Sequence, residues 1–364
     1  FAIAGSAAVY YWAAVWTTID TEVWTENLKR SSSIWTFRDP TSDEIRRANN
    51  FSLGKKMQTG LSSLKDWLND FAVPAYFKYW IIRGYVDVAQ PYLDTTEGRR
   101  LCWKICLFNG AVYLAWKIRA LQGPMMRAWM HNPLSGRSLT MLTCVFSHKS
   151  IFHLVFNCMA LTSFGSAATR YFQNAQEQGP SELQESTAAH HFLGFYLAAG
   201  LFSSLVSHVA SARLAFPRIV AKLATPAPIA VQRGTVAPVS FASSLTSSST
   251  SAASTAATSA ILPSLGASGA IYASVVVTAL AFPDAQIALA IPPSFPIPIQ
   301  YGVGGLVAID MIGILRGWKM FDHYAHLGGA AFGAVYWMYG PAMWDRLRES
   351  IADQSRVGKE QKTR

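Results

Sequence analysis

The sequence predicts an all-α polytopic membrane protein with seven candidate spans. Hydrophobic side chains make up 51% of the 364 residues and charged ones only 14%, whereas soluble domains carry about a quarter charged residues. Several uninterrupted apolar stretches approach twenty residues, and at about 1.5 Å rise per residue that length crosses a hydrocarbon core of about 30 Å. Tryptophan and tyrosine collect near the ends of these stretches, as with Trp12 and Trp16 or Tyr336, Trp337 and Tyr339. Amphipathic rings gather in this way at headgroup depth.

The first span occupies residues 1–18 and is rich in alanine. Residues 19–100 are too polar to cross a membrane. Within them Leu64, Trp67, Leu68 and Phe71 recur at helical spacing, which suits either an amphipathic helix on a surface or a small solvated helical hairpin. A core follows over residues 101–342. Its second span covers 101–118, where Lys104 snorkels from near one end, and the third covers 151–164. The fourth covers 191–209. Residues 210–261 are dense in Ser, Thr, Ala and Pro with almost no charge, and predict a poorly ordered insertion, because little there can be buried to offset chain entropy. The fifth span runs from just after Pro263 to residue 282, and a connection with Pro283, Pro292, Pro293, Pro296 and Pro298 leads to the sixth over 299–315. The last span covers 324–339, and residues 343–364 read as a charged tail.

The net charge of +10 does not point to nucleic acid, since Lys and Arg are scattered among loops with no arginine-rich run to follow a phosphate backbone. It reads as loop charge facing a bilayer. Cys102, Cys106, Cys144 and Cys158 have neither CxxC spacing nor a disulfide framework, and read as buried free thiols. Phe1 opens the chain without a methionine, which suits a fragment or a removed presequence. The opening apolar run lacks the basic flank and cleavage pattern of a signal peptide.

A polar or ionisable side chain is expensive in a bilayer, so those within spans are functional candidates. His153 and Asn157 stand at i and i+4 on one face of the third span. They fit one site together, or serve as interhelical hydrogen-bonding glue. Ser268 lies in Gly266-Ala267-Ser268-Gly269, where small neighbours leave room for a substrate backbone and close helix approach. Tyr272 follows four residues later on the same face. His326 opens a run in which Gly329 and Gly333 form a GxxxG face, and if that face meets the fifth span the imidazole comes within reach of the Ser268 hydroxyl. A nucleophile and its base need that geometry. Asp310 in the sixth span is the one clear intramembrane acid, and Asp322 sits one turn before His326.

The three pieces GASGAIYA, AHLGGAAFG and HLVFN, in their order and spacing, resemble the signature motifs of rhomboid intramembrane serine proteases. The resemblance covers roughly residues 101–340, interrupted by the insertion, and its finer features look like the mitochondrial, presenilin-associated rhomboid-like branch. It implies a six-helix core plus one extra N-terminal helix. It further implies that Ser268 attacks the peptide carbonyl, that His326 shuttles the proton, and that no acidic third member is required. By the same resemblance His153 and Asn157 help hold the oxyanion with the Ser268 backbone N–H, Tyr272 stacks on His326, and no cofactor or metal takes part. Asp322 is then a helix-end charge at the surface or an orienting acid. The implied partners are membrane-anchored protein substrates and the lipid bilayer, in the mitochondrial inner membrane. Entrance-side loops carry Arg119, Arg127, Arg137, Lys149, Arg213, Arg218, Lys222, Arg233, Arg316 and Lys319, against little beyond Arg170 on the opposite side, which by the positive-inside rule turns the site toward the matrix.

Competing classes fare worse. None of the eight histidines begins an HExxH motif, which removes the usual zinc metalloprotease. One intramembrane acid cannot form an aspartyl dyad. The halves of the chain do not mirror each other as transporter repeats do. The alternative that keeps the fold is a catalytically inactive rhomboid-like protein that binds membrane helices, whose mark would be loss of the serine or the histidine. Both are present.

Overall fold

Helices dominate the computed structural model, which describes residues 1–31, 38–224, 261, 263–288 and 294–362. Among them, Ile151–Gln178, Ala189–Ala221 and Ile299–Arg316 are long and apolar enough to cross a membrane, and Ser268–Ala281 is a shorter apolar helix.

Helix α1 (Ala2–Ser31) extends well past the expected end of the first span. Tyr10, Ala13, Ala14, Thr17 and Thr21 are buried at spacings of three and four, so one stripe of the helix faces the bundle. The threonines do not leave their hydroxyls unpaired in that stripe, for Thr17 and Thr21 donate to the carbonyls four residues back at 2.9 and 2.6 Å. The region after it holds a helical hairpin of α2 (Ser42–Asp70) and α3 (Ala75–Asp94). Thr41 and Glu44 form a capping box that starts α2, and Tyr85 of α3 donates to the Met57 carbonyl at 2.8 Å. Of the two readings offered for residues 62–71, the pairing is that of the hairpin. Buried Leu68 lies on one side, while Trp67 and Phe71 are exposed.

Helix α4 (Glu97–Lys117) is followed by the short helices α5 (Gln122–Ala128) and α6 (Thr140–Thr143). Ser150 caps α7 (Ile151–Ala160), which passes through a π turn into α8 (Ser166–Gln178). Helix α9 (Ala189–Val209) likewise continues through a π turn into α10 (Phe216–Ala224). The expected loop therefore does not begin at residue 210, because the apolar helical pattern runs on for four more turns. Residues 225–260 of the insertion lie outside the described residues, as do Pro292 and Pro293. Strands Gln286–Ile287 and Ile297–Pro298 pair antiparallel between α11 (Ser268–Ala281) and α12 (Ile299–Arg316). Left-handed Gly317 (φ 66°) ends α12.

The last helix, α13 (His323–Lys362), takes in most of what the composition suggested was a tail. Its charge is not all solvated. Trp344 and Arg348 are buried and both donate to Glu185 Oε1, at 2.7 and 3.1 Å. Tyr336, expected at headgroup depth, is also interior. It stacks on Tyr10 at 5.9 Å and shares a 2.5 Å hydrogen bond with His191 Nε2. Those contacts tie α1 to α9 and α13. In the same region, burial and the nearby Glu185 carboxylate, opposed by Arg348, raise Asp345 from 3.8 to about 6. Its folded form holds the proton more tightly than the unfolded chain, so this group makes the fold more stable as pH drops from about 6 toward 3.8. Asp345→Asn is expected to raise the melting temperature at pH 7.5 by roughly 2–4 °C. The gain should vanish near pH 4, as scanning fluorimetry across pH would show.

Helix α11 is wedged between α9 and α13. A Cβ on Gly329 would lie 2.0 Å from the Gly269 carbonyl oxygen, and one on Gly333 would lie 2.5 Å from that of Ala273. On its other side a Cβ on Gly269 would fall 2.5 Å from Ser203 Cβ. Backbone is thus packed on backbone, the contact small residues permit between lipid-buried helices. Alanine favours a helix interior over glycine by about 1 kcal/mol. Gly329→Ala is nonetheless expected to destabilise, by about 2–3 kcal/mol, because the methyl has nowhere to go. A lower thermal midpoint in detergent would show it.

Candidate active site

Four elements converge on Ser268. Extended residues ahead of α11 are fixed by the chain on both sides of α6, since His131 and Ser264 exchange backbone hydrogen bonds of 3.0 and 2.8 Å, and Gly266 N–H donates to the Cys144 carbonyl at 2.9 Å. Gly266 has φ 132°, which favours glycine, and a Cβ there would also strike the His153 ring at 2.7 Å. The turn therefore requires glycine twice over. Helix α11 then starts at half-buried Ser268 with no side-chain cap, which leaves its first N–H groups and the positive end of its dipole directed at the space beside the hydroxyl.

The close packing of α13 on α11 carries His326 to that hydroxyl. His326 Nε2 and Ser268 Oγ are 2.8 Å apart, and His326 Nδ1 lies 3.1 Å from Asp310 Oδ1. With Nδ1 protonated and donating its hydrogen bond to the carboxylate, Nε2 presents a lone pair to the serine O–H. Tyr272 covers the imidazole in a parallel stack, centroids 4.6 Å apart and planes 10° off, and its hydroxyl donates to Asp310 Oδ2. His323 Nδ1 is 2.5 Å from Asp310 Oδ1. Asp310 is only 2% exposed, and its partners are the Tyr272 hydroxyl and the imidazoles of His323 and His326. An ionised carboxylate at this depth is tolerable only with such partners.

His153, on the first turn of α7, reaches the same hollow, for a single point at Gly266 lies 3.0 Å from its Nε2 and 3.9 Å from Ser268 Oγ. His148 stands behind it, ring centroids 5.1 Å apart. Burial and the neighbouring His153 push His148, in the loop before α7, down to about 4, so it is neutral at physiological pH. Asn157 is buried but its amide donates to the His153 carbonyl at 2.7 Å, so the structure gives it no contact with the serine. Asp322 belongs to the helix end, where it accepts from Ser207 and Ser264 hydroxyls at 2.6 Å each and from the Ala325 N–H at 3.1 Å. It is not placed against the His326 ring.

The residue that the sequence left without a role at this site is Asp310. The signal was present in the short link between α12 and α13, which makes them antiparallel neighbours. Asp310 stands two turns before the end of one, and His326 one turn into the other.

Residues 135–341 match the family model of the rhomboid domain. The mitochondrial presenilin-associated rhomboid-like protein of Homo sapiens is 29% identical over 302 residues, which is 82% of this chain and 63% of the relative. Its counterpart in Danio rerio, the presenilin-associated rhomboid-like protein A, is 28% identical over 78% of this chain and 59% of the relative. The mitochondrial rhomboid protein 1 of Saccharomyces cerevisiae is 27% identical over 55% and 41%. The chain thus spans less than two thirds of the length of these relatives. With its membrane-crossing helices it is a multi-pass mitochondrial membrane protein. The chain belongs to the rhomboid family of intramembrane proteases, on its mitochondrial branch.

Proposed function

We propose that this chain is a serine endopeptidase that cleaves the transmembrane segments of membrane-anchored proteins, in the mitochondrial inner membrane. The observation that carries the reading is the 2.8 Å contact between Ser268 Oγ and His326 Nε2 at the meeting of two helices that pack through glycine. His326 takes the serine proton as Oγ attacks the scissile carbonyl, then returns it to the leaving amine. Asp310, through Nδ1, holds the imidazole in the tautomer this requires and stabilises the imidazolium that forms. Tyr272 keeps the ring flat against α11.

Negative charge that develops on the carbonyl oxygen meets the uncapped N–H groups of α11 and the His153 side chain. Each preorganised donor of this kind is worth about 3–4 kcal/mol in the transition state. Asn157 contributes by fixing the turn of α7 that presents His153, and reaches the oxyanion only after its amide leaves the His153 carbonyl. Substrate helices must unwind to expose a peptide bond, which favours small or helix-breaking residues near the cut.

The test is reconstitution with a membrane-anchored reporter, followed by N-terminal sequencing of the fragments. A single new N-terminus inside or beside the reporter's apolar segment, formed only while Ser268 is intact, is expected. Fragments of the same sequence from the Ser268→Ala protein would remove the proposal.

A further inference from the structure

A cavity of about 260 Å³ opens where the α2–α3 hairpin meets the bundle, with Arg46, Lys56, Arg100 and Lys104 in its wall. It is remote from the serine. Arg100 is on the first turn of α4, whereas Trp116 near the other end of that helix donates to Ser147 beside the site, a separation of roughly 24 Å along the helix axis.

The charges in this wall do not cancel. Two carboxylates line the cavity, and both already accept hydrogen bonds at the entry to α9, Asp20 from the Ser186 hydroxyl at 2.7 Å and Glu97 from that of Thr187. Arg46 is paired outside the cavity, 2.5 Å from Glu177. Arg100 is only 7% exposed, yet its guanidinium donates to the neutral amide of Asn50 and lies 5.9 Å over the Tyr92 ring, with no carboxylate bonded to it. Lys56 and Lys104 reach the same space exposed, and have no ion-pair partner among the described residues. A buried guanidinium so placed is expensive unless an anion joins it. Setting Arg46 against Glu177 leaves three cations facing two carboxylates, and the surplus is the single charge of a phosphodiester.

The location says which phosphodiester. Leu101, early in α4, and Ala189, the first residue of a helix long and apolar enough to cross a membrane, form part of the wall, so the cavity lies at the end of that membrane-length helix, where a bilayer surface would meet it. Tyr92 packs on Trp103 at 6.3 Å at that same level, a pair of rings suited to headgroup depth. Leu53 and Leu101 complete the apolar side. We propose that this cavity binds the phosphate headgroup of an anionic membrane phospholipid, with Arg100 as the buried contact and Lys56 and Lys104 as the outer ones. The lipid would then pin the hairpin to the core.

The test uses the whole protein in nanodiscs of phosphatidylcholine alone or doped with phosphatidylglycerol, with retained lipid counted by native mass spectrometry and unfolding followed by heating. Wild type is expected to retain phosphatidylglycerol selectively and to gain thermal stability from it. Lys104→Gln and Lys56→Gln, exposed positions whose replacement leaves the fold intact, should each weaken that retention about fivefold, the factor for one cation near an anionic headgroup. Arg100→Gln should abolish the selectivity. Equal retention by wild type and the two lysine variants would overturn the site. Equal retention of phosphatidylcholine would do the same, and stabilisation by inorganic phosphate matching that by the lipid would overturn the lipid as its source.

Discussion

Ser268→Ala is expected to leave a folded, membrane-inserted protein whose cleavage rate falls by about 10⁴-fold or more. Deleting the hydroxyl removes the attacking atom while the helices that frame it stay packed, because α11 meets α13 backbone to backbone through Gly269, Ala273, Gly329 and Gly333. Only the 2.8 Å hydrogen bond to His326 is lost. The thermal midpoint should therefore shift by no more than a few degrees, which separates a chemical defect from a folding one. His326→Ala should match it in rate, and the double variant should be no slower than either single one, since the two groups act as a unit. Rates on the membrane-anchored reporter, measured beside thermal scans, check all three.

Asp310→Asn carries the second large effect. The carboxylate accepts from the Tyr272 hydroxyl and faces Nδ1 of both His326 and His323. An amide at this position has one oxygen for three donors, and its N–H₂ turned toward His326 would move the ring proton to Nε2. That tautomer cannot take the serine proton. The rate constant is expected to drop about 10²–10⁴-fold with little change in the substrate concentration for half-maximal rate, since Asp310 reaches no substrate atom. Less than a tenfold loss would mean that the pair of Ser268 and His326 works without the acid, as the sequence comparison with the family implied. Tyr272→Phe should lose far less, because the stack on His326 survives without the hydroxyl.

How far the site was legible follows from these residues. Ser268 and His326 are legible through the joint occurrence of GASGAIYA, AHLGGAAFG and HLVFN, since each motif alone is weak, and the GxxxG face is legible because small residues permit close helix approach in lipid. Tyr272 follows from helical spacing together with the family pattern. Asp310 was visible as an expensive residue but not as a partner, since its role depends on how far α12 and α13 slide along each other, which periodicity does not encode. Asn157 shows the reverse. Its spacing from His153 places both on one face, but rotamer choice sends its amide back to the His153 carbonyl.

The fold divides along the same line. Helices stand where the apolar runs are, and among the described residues three of them are long and apolar enough to cross a membrane, but their ends differ from those of the apolar runs wherever tertiary contacts carry a helix further. Residues 343–362 are too charged to look like part of a bundle, and continue as helix because Trp344 and Arg348 meet Glu185, far away in the chain. The same holds after residue 209, where α9 passes through a π turn rather than stopping. Helix α3 escaped notice for another reason. It has no buried residue, so it adds nothing to the core.

The contact between Ser268 Oγ and His326 Nε2 is most directly tested by labelling the membrane-embedded protein with a fluorophosphonate and locating the adduct by peptide mass spectrometry. Such reagents modify a serine in proportion to its activation by a base. The account predicts a single phosphonylated residue, Ser268, with labelling lost in His326→Ala and slowed in Asp310→Asn. Undiminished labelling of Ser268 in His326→Ala, or an adduct on a different serine, would contradict it.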